Sequence, residues 1–188
     1  MALRHAVLAA LLNNELSGYQ LAKAFDLGVA NFWYARPQQL YAELSRLEKE
    51  GLVLGREVVQ DNRPNKRLFE VNEAGLAELE AFVATASKPS FIRDDLLVKV
   101  QAADHVDPRT LIAQLRQRAE FARAKIDNLQ ALLRGMRGKQ DEEEFLLRAK
   151  TIGPYLTCLR GVTFEQENRD WCERVIAILD NREQRENP

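Results

Sequence analysis

Residues 36–53 read "RPQQLYAELSRLEKEGLV". Leu40, Leu44 and Leu47 recur at helical spacing, so this stretch is a short amphipathic helix. Pro37 suits its first turn, where a missing N–H costs nothing. Gly51 suits its end, where the chain turns through a left-handed conformation. The helix is therefore expected over about 37–50. With the three leucines turned inward at about 100° per residue, Gln38, Ala42, Ser45 and Lys49 point directly away, flanked by Gln39, Tyr41 and Arg46. Glu43, Glu48 and Glu50 fall toward the sides. The outward face is thus nearly free of carboxylate although the helix is rich in it. Glutamine can pair with adenine, arginine with guanine, and serine with a base or a phosphate, so the face has the chemistry of a groove reader. An ordinary solvated surface would also account for it.

The flanking sequence decides between these two accounts. Upstream, Leu3, Val7, Ala10 and Leu11 predict a first helix over 2–13, Ser17-Gly18 breaks it, and "YQLAKAF" (19–25) predicts a second. Downstream, "LVLGREVVQ" and "KRLFEVN" are β-rich runs around the turn residues Asp61-Asn62-Arg63-Pro64-Asn65, the pattern of a hairpin. Asn72 is a candidate cap for a further helix over 73–86. Three helices, a two-stranded hairpin and another helix follow the plan of a winged helix-turn-helix domain, assigned to residues 1–86. Its wing would carry Arg63, Lys66 and Arg67.

"SKPS" (87–90) marks a boundary, and the remainder reads as helical. Asp107-Pro108 is a cap followed by a first-turn proline. From there Ile112, Leu115, Ala119, Ala122, Ile126, Leu129 and Leu133 step by 3 and 4 alternately, a coiled-coil-like seam. A last helical stretch over about 142–182 should be kinked or broken at Gly153-Pro154. The fold class is therefore mainly α with a small β-hairpin: an N-terminal winged helix-turn-helix domain, then a C-terminal helical, coiled-coil-like domain over 90–182. The seam residues are expected to form a homodimer interface.

The chain has 188 residues and a formal net charge of −1. That argues against bulk electrostatic attraction to nucleic acid. Residues 1–86 hold nine Lys/Arg against eleven Asp/Glu, whereas the window 36–67 holds seven against five. Any footprint on DNA must be local to that window. No apolar run has the length of a membrane span, and the first apolar stretch lacks a cleavage site, so it reads as a helix rather than a signal peptide. Cys158 and Cys172 form no CxxC pair and fit a reducing cytoplasm. His5 and His105 lie far from both in sequence, so neither a metal site nor a cofactor is expected. No nucleophile–base pair or phosphate-cradling glycine loop points to an enzyme. Trp33, Phe32, Phe91 and Trp171 are candidates to line an apolar effector pocket, with core packing as the simpler account.

"FWYARPQQLYAELSRLEKEGLV", "NRPNKRLFEVNEAG" and "YLTCLRGVTFEQENRDW" together resemble the PadR family of bacterial transcriptional regulators, in order and over nearly the whole chain. The third motif is similar to the C-terminal region of the longer branch, related to AphA-type virulence activators. The resemblance implies a dimeric DNA-binding protein, often a repressor, on an inverted-repeat operator, in some members released by a small aromatic effector. By position it makes Tyr41 a residue approaching the DNA backbone, and Arg63 and Lys66 a basic wing. Phe69 and Asn72 depart from the tyrosine and threonine common there. The DNA-binding set expected from face and resemblance together is Arg36, Gln38, Gln39, Tyr41, Ser45, Arg46, Lys49, Arg63 and Lys66; Trp33 and Trp171 are the effector candidates. The competing reading is a winged-helix protein-interaction module without DNA binding, favoured by the acidic balance of residues 1–86.

Overall fold

The computed structural model describes residues 2–27, 33–59, 65–87, 89 and 93–186, divided into two units, Met1–Pro89 and Ser90–Pro188. In the first, helices α1 (Ala2–Leu11), α2 (Gly18–Leu27) and α3 (Pro37–Lys49) precede strands β2 (Val53–Val58) and β3 (Lys66–Val71) and helix α4 (Glu73–Val83). Val7, Leu8 and Leu11 of α1, Leu21 and Phe25 of α2, and Leu40, Leu44 and Leu47 of α3 close over Val53 and Phe69 as one core. The three leucines read from the sequence are at most 1% exposed. Phe69 is buried, so lacking the hydroxyl of a tyrosine leaves no polar atom to satisfy there.

The expected two-stranded hairpin is in fact part of a three-stranded sheet. A further strand, β1 (Leu16–Ser17), pairs antiparallel with β3, giving the order β1-β3-β2. In the described part of the hairpin Val58 faces Lys66 and Gly55 faces Phe69. The expected turn lies, apart from Asn65, outside the described residues. The helix expected to reach residue 86 ends at Val83.

Helix α3 stops where its chemistry says it should. Gly51 has φ +72°, its N–H donates to the Glu48 carbonyl at 3.0 Å, and the Leu52 N–H donates to the Leu47 carbonyl at 2.9 Å. This pair of bonds is a Schellman motif, which satisfies carbonyls the helix leaves open. The same turn anchors α4. Asn72 Oδ1 accepts from the Gly75 N–H at 2.9 Å while its Nδ2 donates to the Gly51 carbonyl at 2.8 Å. Asparagine thus replaces threonine as a cap with no bond lost.

The second unit contains α5 (Asp95–Gln101), a 3-10 turn at Ala103–His105, α6 (Pro108–Arg137), α7 (Glu142–Arg148) and α8 (Gly153–Glu186). Asp107 caps α6 by accepting from the Arg109 and Thr110 N–H groups. Gly153-Pro154 breaks the last helical stretch by opening α8 after the gap that follows α7. Helices α6 and α8 run antiparallel, joined by ion pairs from Arg109–Glu183 at one end through Arg123–Glu173 to Lys125–Glu165. The seam does not wait for a second copy. All seven of its residues are already buried within this chain; Leu115 and Ala119 pack in one cluster with Cys172, and Leu129 and Leu133 in another with Tyr155, Cys158 and Val162. Ile112, Leu115, Ala119, Ala122, Ile126, Leu129 and Leu133, the stripe expected to form a homodimer interface, thus lie in the unit's own core. Glu165 stands among these apolar layers only 4% exposed, and Lys125 Nζ donates to it at 2.8 Å.

Candidate nucleic-acid interface

The start of α3 is held by its own third residue. The Arg36 N–H donates to Gln39 Oε1 at 2.9 Å and the Gln39 N–H returns to the Arg36 carbonyl at 2.9 Å. Gln39, expected to reach a base edge, is thus engaged as a capping residue. Gln38, Tyr41, Ala42, Ser45, Arg46 and Lys49 are exposed, and Glu43 is turned inward at 9% exposure. Ser45 Oγ donates to the Tyr41 carbonyl at 3.1 Å, which leaves its lone pairs to accept. Arg46 is tethered loosely to Glu43, at 3.6 Å. Tyr41 lies across Gly18, where a Cβ would stand 2.2 Å from a ring carbon. Glycine at the start of α2 thereby lets the tyrosine seat between the two helices.

The cations sort into two groups. Arg56 on β2 bonds Glu15, with Nε donating to Oε1 at 2.7 Å, and Arg67 on β3 bonds Glu48 of α3. The Arg56 guanidinium holds the Glu15 carboxyl below the usual carboxylate range. Arg36, Lys49 and Lys66, in contrast, have no ion-pair partner among the described residues. Arg63 lies outside them. A carboxylate-free, hydrogen-bonding helix face with unpaired cations on and near it is suited to reading base edges while neutralising phosphates.

The remaining candidates are dispersed. Trp33 belongs to the first unit, half-exposed before α3. Trp171 belongs to the second, packed on the cluster of Leu111, Leu115 and Cys172. Phe32 and Phe91 lie outside the described residues. Among the described residues no group of His, Cys, Asp and Glu could hold a metal ion, and no helix is long and apolar enough to cross a membrane. Burial pushes both cysteine thiols up from their ordinary pKa, which makes them poor nucleophiles. In the folded chain neither is expected to react with Ellman's reagent at pH 8, and both should react in urea. A fast-reacting thiol in buffer would contradict the burial of Cys158 and Cys172.

Sequence reasoning passed over Glu15 and Gly55, and read Gly18 only as a helix break and Glu48 only as a flank of the reading face. Their partners are distant in the chain, and no local pattern announces such contacts.

Residues 7–81 match the model of the transcriptional regulator PadR-like family, and residues 92–180 match that of the virulence activator alpha C-terminal region. The chain is similar to a probable transcriptional regulator of Mycobacterium tuberculosis, at 30% identity over 193 residues, covering 97% of this chain and 100% of that one. It is also similar to the negative transcriptional regulator PadR of Bacillus subtilis, at 24% identity, covering 95% and 97% of the two chains. The crystal structure of that PadR with operator DNA superposes with a TM-score of 0.79 at 22% identity, covering 95% of this chain and 99% of that one. Its complex with p-coumaric acid gives 0.73 at 23%, covering 95% of each chain.

Proposed function

This chain belongs to the PadR-like family of transcriptional regulators, and from that premise we propose that it binds an operator through α3 and the wing and represses transcription from it. One observation carries the reading. The outward face of α3 offers Gln38, Tyr41, Ala42, Ser45, Arg46 and Lys49 to solvent and no carboxylate. Gln38 and Ser45 are assigned to base edges. Tyr41, Arg46 and Lys49, with Arg36, Arg63 and Lys66, are assigned to the phosphate backbone. Gln39 acts through Arg36, by holding the first turn. Residues 1–86 are the DNA-reading domain in this proposal and 90–182 the assembly domain. The protein works in the cytoplasm and has no catalytic role.

A homodimer would present two such helices to an inverted repeat, with half-sites roughly one helical turn apart, ~34–36 Å. Since the seam is filled within the chain, the second copy is assigned to the opposite side of α8. Leu156, Phe164 and Ile178 are exposed there, within one arc of the helix. The Bacillus PadR was crystallised with p-coumaric acid. By analogy a small aromatic acid is the proposed effector, with Trp33 and Trp171 as the reporters of its binding by fluorescence quenching.

The base-reading assignment is tested with Gln38→Ala. On a duplex selected from a random pool by the wild-type chain, affinity should fall by about 1–3 kcal/mol and preference relax at one base pair. Binding to random DNA should be unchanged. A variant with wild-type selectivity would remove Gln38 from the reading face. A wild-type chain that selects no duplex at all would support the protein-interaction reading instead.

A further inference from the structure

Arg67 sits beside Lys66 on the wing strand, where a second phosphate-binding cation would be unremarked, yet its guanidinium is engaged by the chain itself. Nε and Nη2 donate to Glu48 Oε1 at 3.2 and 2.5 Å. The carboxylate comes from the last turn of α3, so the bond ties the groove helix to the wing. Gly55 makes room for it. A Cβ at that position would stand 2.1 Å from Glu48 Oε1 and 2.7 Å from Arg67 Nε. The Phe69 ring lies 6.0 Å from the guanidinium carbon, close enough to favour a cation over its face. Carboxylate, glycine and ring thus converge on one arginine. About half of the Arg67 side chain remains in solvent, so a competing anion can reach it.

Resting on the DNA-binding reading, we propose that Glu48 is a specificity-determining residue, which withholds Arg67 from the phosphate backbone and fixes the wing to the end of the reading helix. Every phosphate contact adds affinity for all sequences alike and steepens the salt dependence. A carboxylate that occupies one arginine of the wing lowers the attraction to random DNA. The same bond keeps the wing in position relative to α3 when the operator is bound. Glu48 itself touches no base in this account; it acts through Arg67, as a positioning residue.

The test uses the full chain with a random duplex and a duplex selected by the wild-type chain, at 50 and 200 mM salt. On random DNA Glu48→Gln should steepen the salt slope by about one unit, so that the ratio of affinities at the two salts grows about threefold. Its preference for the selected duplex should fall. Gly55→Ala dislodges the bridge without changing charge and should move both quantities in the same direction. The double variant Glu48→Gln/Arg67→Ala should return to the wild-type slope, which a loss of folding or a bulk-charge effect would not do. An unchanged slope in Glu48→Gln, or a steep slope that persists in the double variant, overturns the proposal while leaving the DNA-binding reading in place. A wild-type chain that binds neither duplex overturns both.

Discussion

Leu115→Asp is expected to unfold the second unit. Leu115 is fully buried between α6 and α8. Truncating such a leucine costs ~2–5 kcal/mol by lost burial and cavity formation. A carboxylate in its place adds the cost of an unpaired charge among apolar side chains. The total exceeds ~5 kcal/mol, the lower end of what an entire domain has to lose. The far-UV signal of α6 and α8, helices of 30 and 34 residues, should drop sharply, with the protein insoluble or protease-sensitive. Phe164→Asp provides the contrast. That side chain is 40% exposed on the outer side of α8, so helicity should persist while sedimentation shifts from dimer to monomer. A well-folded Leu115→Asp chain would contradict the packing described for this unit. A Phe164→Asp chain that still sediments as a dimer would move the interface elsewhere.

The second large effect is on DNA. Replacing Arg36, Lys49 and Lys66 together with alanine removes three cations that have no ion-pair partner among the described residues. If each meets one phosphate, the salt slope should flatten by about three units and affinity at ~0.15 M salt should fall about a hundredfold, for operator and random sequence alike. Arg56→Ala makes the comparison. Its guanidinium is committed to Glu15, so its loss should leave the salt slope almost unaltered. Equal effects from the paired and unpaired cations would mean that the ion pairs open on DNA. No effect from the triple variant would take α3 and the wing out of the interface.

What could be read in advance depended on how local the cause was. Pro37, Gly51, Asn72 and the Asp107-Pro108 pair each act on the few residues beside them, and each sits where its own chemistry places it. Strand β1 was not legible because two residues carry no period; Leu16 and Ser17 become a strand only through β3, some fifty residues on. The seam was legible as a stripe but not as an interface. Periodicity says which residues must be covered, and an antiparallel helix of the same chain covers them as well as a second copy would. At the reading helix the face was legible but the duties on it were not. A glutamine at the third helical position can cap or reach outward, and only the bond to Arg36 shows that Gln39 caps. The division of the basic residues into paired and unpaired rests on contacts such as Glu15 with Arg56 and Glu48 with Arg67, which no window of sequence displays.

The pair that buried Glu165 makes with the half-buried Lys125 bears on how long the second unit's helical arm can be. Two antiparallel helices joined only through leucines and alanines could slide past one another by a heptad at little cost, because one apolar layer fits much like the next. Here a slip in one direction would set Glu165 among Leu132 and Leu133. In the other it would bring Glu165 against Arg118, whose two-pronged bond Asp94 already takes. Either misalignment strands a charge, and a buried charge without its partner is far more costly than the matched pair is favourable. The pair thus works as a detent in the hairpin, a single notch at which the two rods lock, and whatever the arm's far end carries is held at one fixed reach.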